Sequence, residues 1–423
     1  MTTKQAHAPS LQRTIGLGQA IALYIGAVVG VGVLVLPGAA ASIAGPASIV
    51  AWVFDALLGI PLALTFGAMA SRYPDAGGVS TFARNAFGAD LAALVGWFYL
   101  VAAAVGEIIV PLAGAHYVAR YVGLGGAGTY GLAAGILVIT ISANLRGLKV
   151  GGRLALCLSA AIAIMLLVAT LSALPRAGGH WAPFAPHGWT AVGSAAVFVF
   201  YAFFGWEVIA HLAEEFHDPS RDVPRATAWS VGGITLLYIG IAAAVIGTGT
   251  YGAPELDRTA VAKVLADSLG VGAGQIAAAM ALLIALGTSN AYIAGASRLA
   301  YALARDDAFP RTFRTLDRQG VPRAAVLLVG GFALIGLGVS FATRVDVEAL
   351  LAIPNVLGIA TYVIGMAAGV RLLQGAQRVF AGLGALLCAA LLPFAGWALL
   401  WLIVVGVTAI LIARRQRRIS TAL

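Results

Sequence analysis

The stretch Ile25–Pro37, IGAVVGVGVLVLP, lies inside the first long apolar run of the chain, which extends from Ile15 to about Ala44. Glycine costs about 1 kcal/mol relative to alanine in a helix interior, so the glycines around Val31 disfavour an unbroken helix. We predict a break at residues 30–32, because irregular backbone at membrane depth persists only beside protein or a watery cavity. The second half-helix would then expose N–H groups that favour a carboxylate. Close packing of glycine-rich helices is the alternative.

The composition around this stretch is that of a polytopic membrane protein. Hydrophobic residues make up 61% of the chain and charged residues 10%, and several apolar runs exceed the roughly 20 residues that span a bilayer. The net charge of +9 comes from the loops and does not indicate nucleic acid binding. Cys157 and Cys388 both fall in apolar runs, so neither a disulfide nor a metal site is predicted. The predicted fold class is an all-α membrane protein.

Twelve membrane spans are predicted, of which the last two form a tight hairpin. With a cytoplasmic N-terminus, 21 of the 26 Lys and Arg residues fall on the cytoplasmic side and 5 on the outside. The positive-inside rule favours this orientation, so we expect both termini in the cytoplasm. The approximate limits of the spans are 15–43, 47–70, 91–119, 127–144, 151–174, 190–212, 227–250, 274–303, 324–342, 347–370, 379–394 and 396–413.

The sixth span repeats the pattern of the first. It is interrupted at Phe204-Gly205-Trp206, and two spans that lie five apart run in opposite directions, as an inverted five-helix repeat requires. The basic tail is expected to face anionic lipid on the cytoplasmic side. The predicted organisation is a tail at 1–14, repeats at 15–174 and 190–370, a hairpin at 379–413 and a basic tail at 414–423.

Three acidic residues, Asp55, Glu107 and Glu207, lie deep in apolar runs. Each costs about 3 kcal/mol at a helix centre, so each is expected to face the protein interior or water. Glu207, His211 and Glu214 have the spacing of one helix face, which suggests a proton path from mid-membrane to the cytoplasm. Alternatively, Glu207 accepts hydrogen bonds from the broken backbone, while the other two lie in the wet interface.

The remaining polar groups in the spans leave several roles open. Glu107 is expected to contact a cationic group, to exchange protons, or to pair with a neighbouring helix. Asp55 is interpreted as a hydrogen-bond partner, with proton coupling or gating as its functional alternative. Thr288-Ser289-Asn290 would supply ligands to Na⁺ if sodium were the coupling ion. No enzyme motif and no cluster of histidines is present, so neither an enzyme nor a cofactor is predicted.

Several motifs resemble those of the amino acid–polyamine–organocation transporters. The segment around His211 is most similar to the bacterial L-methionine/branched-chain amino acid exporters, as are the chain length and the short last spans. Together the matches cover most of the first eight spans. The motifs are RYPDAGG at 72–78 with AFG at 86–88, GWE at 205–207, AHLAEEF at 210–216, DPSRDVPRA at 218–226, SRL at 297–299 and YALARD at 301–306.

The resemblance implies a five-plus-five inverted repeat with two additional helices, and a substrate site between the two breaks. The substrate carboxylate would lie on the N–H groups near Val31, Gly32 and Val33. The ammonium would lie on carbonyl groups near Val28, Tyr201 and Phe204. Glu207 matches an acid linked to gating and proton coupling. The expected binding residues are Val28, Val31, Gly32, Val33, Glu107, Val110, Tyr201, Phe203, Phe204, Trp206 and Asn290, and the expected coupling or gating residues are Glu207, His211 and Asp55.

Two departures from the family pattern qualify this expectation. Val31 stands where many relatives have a polar residue, and the fifth span lacks a central lysine. We expect a secondary transporter of the bacterial inner membrane that exports neutral, apolar amino acids by alternating access, coupled to protons. A carrier of cationic amino acids or polyamines that uses Glu107 is the alternative, and a membrane sensor without transport is a third. Sodium as the coupling ion, and a monomer or a homodimer, remain open.

Overall fold

The computed structural model describes residues 17, 18, 21, 25, 28–30, 32–73, 78–147, 152–206, 219–345 and 347–421. Within these residues the protein is helical and contains no strand. Nine segments of this part of the chain are long and apolar enough to cross a membrane, and a shorter apolar helix covers Trp189–Phe203. Two of the nine, Gly32–Arg72 and Gly375–Gln416, contain 41 and 42 residues, about twice the length that one crossing needs.

Most described helix boundaries lie within four residues of the predicted spans, but the helix Pro219–Gly247 begins eight residues before its predicted span and the helix Leu400–Thr421 ends eight residues after its own. The two long segments each contain two helices, so the architecture is that of a twelve-span membrane protein. The helices are α1 Gly32–Ala44, α2 Ser48–Arg72, α3 Val79–Phe87, α4 Ala89–Val122, α5 Gly126–Leu145, α6 Gly152–Ala173, α7 Trp189–Val199, α8 Pro219–Gly247, α9 Pro254–Asp257, α10 Ala260–Leu269, α11 Val271–Arg305, α12 Arg323–Thr343, α13 Val347–Leu372, α14 Gly375–Leu391 and α15 Leu400–Thr421.

The chain reverses direction between α1 and α2. Gly45 has a φ of +65°, which favours glycine, and Pro46 follows it in a short 3₁₀ turn. The N–H of Ala47 donates to the carbonyl of Phe184 at 2.7 Å, which fixes this turn to the loop before α7. This is the predicted outer face of the protein.

A second reversal separates α14 from α15. Gly396 has a φ of +55° and interrupts the 3₁₀ segment Leu392–Leu399. Before the reversal, Phe394 lies against Gly193 of α7. After it, α15 descends until Gly406 faces Leu94 near the start of α4. The chain therefore reverses direction between these two helices, and α15 extends helically to Thr421.

At the centre of the bundle, α4 and α11 pack against each other along their length. The pair is antiparallel, because Gly96 of α4 faces Leu303 while Gly114 faces Ala285. A Cβ at Gly114 would lie 2.5 Å from the Cβ of Ala285, so glycine is what permits the close approach. This packing buries the polar side chains midway along both helices.

Three helices outside the spans were not predicted. These are α3, α9 and α10, which lie in the connections after α2 and after α8. On the predicted inner face, Arg84 of α3 pairs with Asp306 at the end of α11. In the loop that follows, hydrogen bonds from the backbone of Val321 and Gln319 and from Arg323 hold the pKa of Asp317 below its usual value. These contacts order the inner loops against one another.

Candidate functional site

The first predicted break is present in the described part of the chain. Val28 is helical, whereas Val29 and Gly30 form a bend, and α1 begins at Gly32. The N–H of Gly30 donates to the carbonyl of Val28 at 2.9 Å, a tight turn rather than a helical bond. The first N–H groups of α1 have no intrahelical partner, as at any helix start. A set of main-chain donors therefore lies at mid-membrane.

The second predicted break is also present. A 3₁₀ turn, Phe200–Phe203, ends α7, and Phe204 is extended with a ψ of 144°. Gly205 has a φ of +120°, a conformation that only glycine adopts readily, and its N–H donates to the Tyr362 hydroxyl at 3.2 Å. This break ends a helix that starts at the predicted outer face, whereas α1 runs from its own break towards that face. The two half-helices are therefore antiparallel, as predicted.

Tyr201 lies between the two breaks. A Cβ placed on Gly32 would be 3.1 Å from Cδ1 of Tyr201, and one placed on Gly106 of α4 would be 3.2 Å from its hydroxyl. The side chain thus extends from the start of α1 to α4. Gly30, Gly32 and Tyr201 are each partly exposed, whereas the Tyr201 hydroxyl is buried.

Tyr238 of α8 joins the two breaks from behind. Its hydroxyl lies 2.8 Å from the carbonyl oxygen of Val28 and 3.0 Å from that of Ala202. A phenol has a single hydrogen, which these two acceptors share. Carbonyl groups of both broken helices therefore converge on the buried Tyr238 hydroxyl.

Aromatic rings form one wall of this space. The Phe204 ring lies 5.9 Å from the ring of Tyr201 and 5.5 Å from that of Tyr362. It occupies the space left by Gly358 of α13, where a Cβ would lie 1.6 Å from Cζ of Phe204. Phe204 is partly exposed, which suits contact with an apolar ligand.

Four other predicted binding residues are buried in helix interfaces. Phe203 packs between Trp52 and Tyr238, with ring centroids 6.4 and 5.1 Å away. Trp206 lies over Gly59 of α2. Val33 and Val110 are in the core. These side chains pack between helices behind the site and do not line it.

Glu107 is fully buried between α4 and α11. The Ser289 hydroxyl donates to Oε2 of Glu107 at 2.7 Å, and Thr140 of α5 lies 3.2 Å from the same hydroxyl. The Tyr201 hydroxyl is near enough to interact electrostatically with this carboxyl group. The structure therefore brings Glu107 next to the break site, behind Tyr201.

Asn290 and Asp55 face other neighbours. Asn144 donates to the side-chain oxygen of Asn290 at 2.9 Å, so Asn290 lies in the interface between α5 and α11. Ser289 likewise has Glu107 and Thr140 as its partners. Asp55 is buried in α2 near Cys388 of α14, and within the described residues neither of its oxygens has a hydrogen-bond partner.

Three predicted residues, Val31, Glu207 and His211, lie outside the described residues. Their roles remain predictions from the sequence. Within the part of the chain that the structure describes, no group of three or more His, Cys, Asp or Glu residues is placed to hold a metal ion.

Sequence analysis did not identify Tyr238, Tyr362, Tyr292 or Thr140. Each is a hydroxyl-bearing residue inside an apolar span. That placement was the one feature of the sequence that could have marked them as candidates. Their roles depend on which helices are neighbours, because each acts on a helix distant in the chain. A span pattern alone does not contain that information.

Comparisons with known proteins agree with this geometry. A family model described as "amino acid permease" matches residues 15–421. The uncharacterized amino acid permease YecA of Bacillus subtilis is 35% identical over 400 residues, 93% of each chain. The L-methionine/branched-chain amino acid exporter YjeH of Escherichia coli is 31% identical over 405 residues, 93% of this chain and 94% of that one. The branched-chain amino acid permease BcaP of B. subtilis is 31% identical over 257 residues, 56% of this chain and 55% of its own. The chain therefore belongs to the amino acid permease family of the amino acid–polyamine–organocation superfamily, whose members are membrane transporters and not enzymes.

Proposed function

We propose that this permease moves neutral, apolar amino acids out of the cell by alternating access, coupled to protons. The repeats at 15–174 and 190–370 would move relative to each other around the two breaks. The protein would lie in the bacterial inner membrane with both termini in the cytoplasm. The single observation that carries the proposal is the antiparallel meeting of the two broken helices at Tyr201.

The main-chain groups at the breaks suit a zwitterion. N–H groups at the start of α1 carry the positive end of the helix dipole and favour the carboxylate. Carbonyl groups near Val28, Tyr201 and Phe204, at the ends of the two broken helices, would favour the ammonium group. A site built from main-chain groups recognises the part that all amino acids share, and leaves selectivity to the side-chain pocket.

The side-chain class follows from the wall of the space. Phe204 and Tyr201 offer aromatic surface, with buried valines behind them. Such a pocket suits branched or thioether side chains better than charged ones. Two relatives, the methionine/branched-chain amino acid exporter of E. coli and the branched-chain amino acid permease of B. subtilis, support the same class.

Transport by the purified protein in liposomes tests the proposal. Leucine or methionine loaded inside should exchange with external substrate, and a pH step should drive net movement. Gly32→Ala should raise the half-saturating concentration about tenfold, which corresponds to 1.4 kcal/mol, because the new methyl group crowds Tyr201 and the N–H groups. Gly338→Ala is the matched control, since no atom lies within 4 Å of its Cβ. Absence of any amino acid exchange would refute the proposal.

Proton coupling is expected to involve Glu207 and His211, with Asp55 as a further gating candidate. Glu207→Gln should remove the dependence of transport on pH more than it weakens binding. The measurement is leucine exchange and pH-driven flux on the same preparation. Full pH dependence in this variant would exclude Glu207 from coupling.

A carrier of cationic amino acids or polyamines is the second candidate, because an acid lies beside the site. In that case Glu107 would pair with a substrate amine. Glu107→Leu would then abolish binding of arginine or putrescine, as measured by thermal stabilisation. Stabilisation of the wild-type protein by leucine and not by these cations would exclude this function.

A further inference from the structure

The side chains of Glu107, Ser289 and Thr140 form a buried hydrogen-bonded chain across three helices. Ser289 Oγ lies 2.7 Å from Oε2 of Glu107 and 3.2 Å from Oγ1 of Thr140. Oγ1 of Thr140 in turn lies 3.0 Å from the carbonyl oxygens of Ile136 and Leu137. The chain thus runs from α4 through α11 to α5 and ends on main-chain acceptors.

The surroundings of Glu107 disfavour a permanent negative charge. The side chain has no exposed surface, and within the described residues its Oε1 has no hydrogen-bond partner. A buried carboxylate needs several donors or a cation to compensate for lost water. One donated bond from Ser289 is less than that, so the neutral acid is the favoured form when the site is dry.

The hydroxyl chain accommodates either charge state without moving a side chain, because each hydroxyl has one hydrogen. When Glu107 is ionised, Thr140 donates to Ser289 and Ser289 donates to Oε2. When a proton sits on Oε2, that O–H donates to Ser289, Ser289 donates to Thr140, and Thr140 donates to Ile136 or Leu137. Every hydroxyl hydrogen is used in both cases.

We propose that Glu107, with Ser289 and Thr140 as positioning residues, is a mid-membrane site that binds the coupling proton, in series with the path expected through Glu207 and His211. This inference rests on the proposed transport function and names the group that holds the ion. The proton binds to Oε2 when water reaches the site from one side and leaves when water reaches it from the other. Glu107 accepts and releases it, and the two hydroxyl groups reorient.

Tyr201 connects this proton site to the substrate site. Its ring lies against Gly32 and its hydroxyl against Gly106, the residue before Glu107. An amino acid bound between the breaks displaces or orders this side chain, and so changes access of water to Glu107. Occupancy of one site therefore alters the proton affinity of the other, as coupled transport requires.

The other titratable groups facing Glu107 in the described part of the chain are phenols. Tyr201 reaches it from the second break, and Tyr292 of α11 lies beside Tyr201. The sequences of α1, α5 and the interiors of α12 and α13 contain no charged residue, and α11 has only Arg298 and Arg305, two or more turns beyond Ser289. No described cation is therefore placed to compensate an ionised Glu107.

Infrared spectroscopy tests the site without relying on transport. The carbonyl band of a protonated carboxylic acid should contain a component that titrates with pH in the wild-type protein, disappears in Glu107→Gln and persists in Asp55→Asn, which removes any contribution of the second buried acid. Ser289→Ala removes the donor to the ionised form, so its midpoint should rise by about one pH unit. Ser297→Ala is the matched control, since Ser297 bonds only to a main-chain carbonyl of its own helix, and its midpoint should not move.

Thr140→Val should raise the midpoint by a smaller amount, and Thr361→Val, whose hydroxyl donates to the Leu357 carbonyl, should leave it in place. If Glu107→Gln does not fold, the infrared midpoints of the serine pair and of the threonine pair still test the proposal. Equal midpoints within both pairs, or an unchanged band in Glu107→Gln, would overturn the proposal.

Transport measurements separate this proposal from the proposed function. Wild-type protein in liposomes should move about one proton per leucine, and Glu107→Gln should move none. Proton movement in Glu107→Gln equal to wild type would overturn the proton site and leave the transporter intact. No leucine movement in wild type would instead overturn the transport function, while the infrared result would still report whether Glu107 binds the proton.

Discussion

Gly358 faces the Phe204 ring across the interface between α13 and the second break. The Cβ of an alanine there would lie 1.6 Å from Cζ of Phe204, so the ring must leave its position. Overpacking of this kind costs about 1–3 kcal/mol. We predict that Gly358→Ala lowers the thermal unfolding temperature and weakens leucine binding, because Phe204 lines the site. Gly331→Ala, with no atom within 4 Å of its Cβ, should do neither.

An unchanged leucine affinity in Gly358→Ala, together with a lower unfolding temperature, would show that Phe204 supports the fold and not the site. The two measurements therefore separate packing from binding at one residue.

Individual residues were predictable where the backbone itself requires them. Gly30 and Gly205 are glycines in an apolar span, and both breaks are at the positions they indicated. Side-chain contacts were less predictable. Phe203 and Phe204 are adjacent aromatic residues with the same expected role, yet one faces Trp52 and the other faces the open space. Which neighbour faces the site depends on the 3₁₀ twist before the break, and apolar composition does not reveal it.

At the level of elements, Tyr238 holds two broken helices in register. Removing its hydroxyl leaves the carbonyl groups of Val28 and Ala202 without this donor. We predict that Tyr238→Phe reduces stability by about 1 kcal/mol and slows leucine exchange about tenfold. Tyr130→Phe is the control, because it loses one hydrogen bond, to Ser340 at 3.0 Å, between α5 and α12. It should lower the unfolding temperature similarly but leave exchange unchanged.

Comparison of Tyr238→Phe with Tyr130→Phe also shows which result would contradict this prediction. If both tyrosine variants exchange leucine at the same rate, the bridge between the breaks has no role in transport beyond stability.

The outer end of α1 is held by a second polar contact. Ser42 donates to Oδ2 of Asp257 at 2.7 Å, and the N–H of Gly252 donates to Oδ1 at 2.9 Å. Asp257→Ala leaves the Ser42 hydroxyl without this acceptor, while the Gly252 N–H keeps Oγ of Ser42 as an acceptor at 2.9 Å, so the loss is about 1 kcal/mol. We predict faster hydrogen–deuterium exchange in the last turn of α1 and in residues 250–257. Glu255→Ala, at an exposed neighbour, should exchange like wild type, and equal rates in both variants would contradict the contact's role.

Element lengths were the most predictable part of the fold. A helix in lipid must satisfy its own backbone, so apolar run length specifies each span. The same reasoning did not identify α3 and α10, since short amphipathic helices at the surface are not constrained by membrane thickness. Pairings such as α4 with α11 follow from small residues that permit close approach, and their partners become evident only in three dimensions.

For the whole molecule, the distribution of charge predicts the orientation in the membrane. Lys and Arg are concentrated in the loops that contain Arg84, Arg305 and Arg311–Arg323, and these loops lie on one face, joined by ion pairs to Asp306, Asp307 and Asp317. The opposite face carries the turn at Gly45 and the loop before α7. The positive-inside rule assigns the basic face to the cytoplasm, which puts α1 and α7 in the outer half of the membrane.

Cysteine labelling in intact expressing cells tests this orientation. Cys157 is exposed and Cys388 is buried, so Cys157→Ala provides the background. A cysteine at Gly179→Cys, on the exposed outer loop, should react with a membrane-impermeant maleimide in intact cells. One at Gln319→Cys, on the exposed basic face, should react only after the membrane is permeabilised. Because an even number of spans separates the termini, the reverse pattern would place both termini outside. The N–H groups at the start of α1 would then point away from the cytoplasm, and export would have to begin from the opposite end of the site.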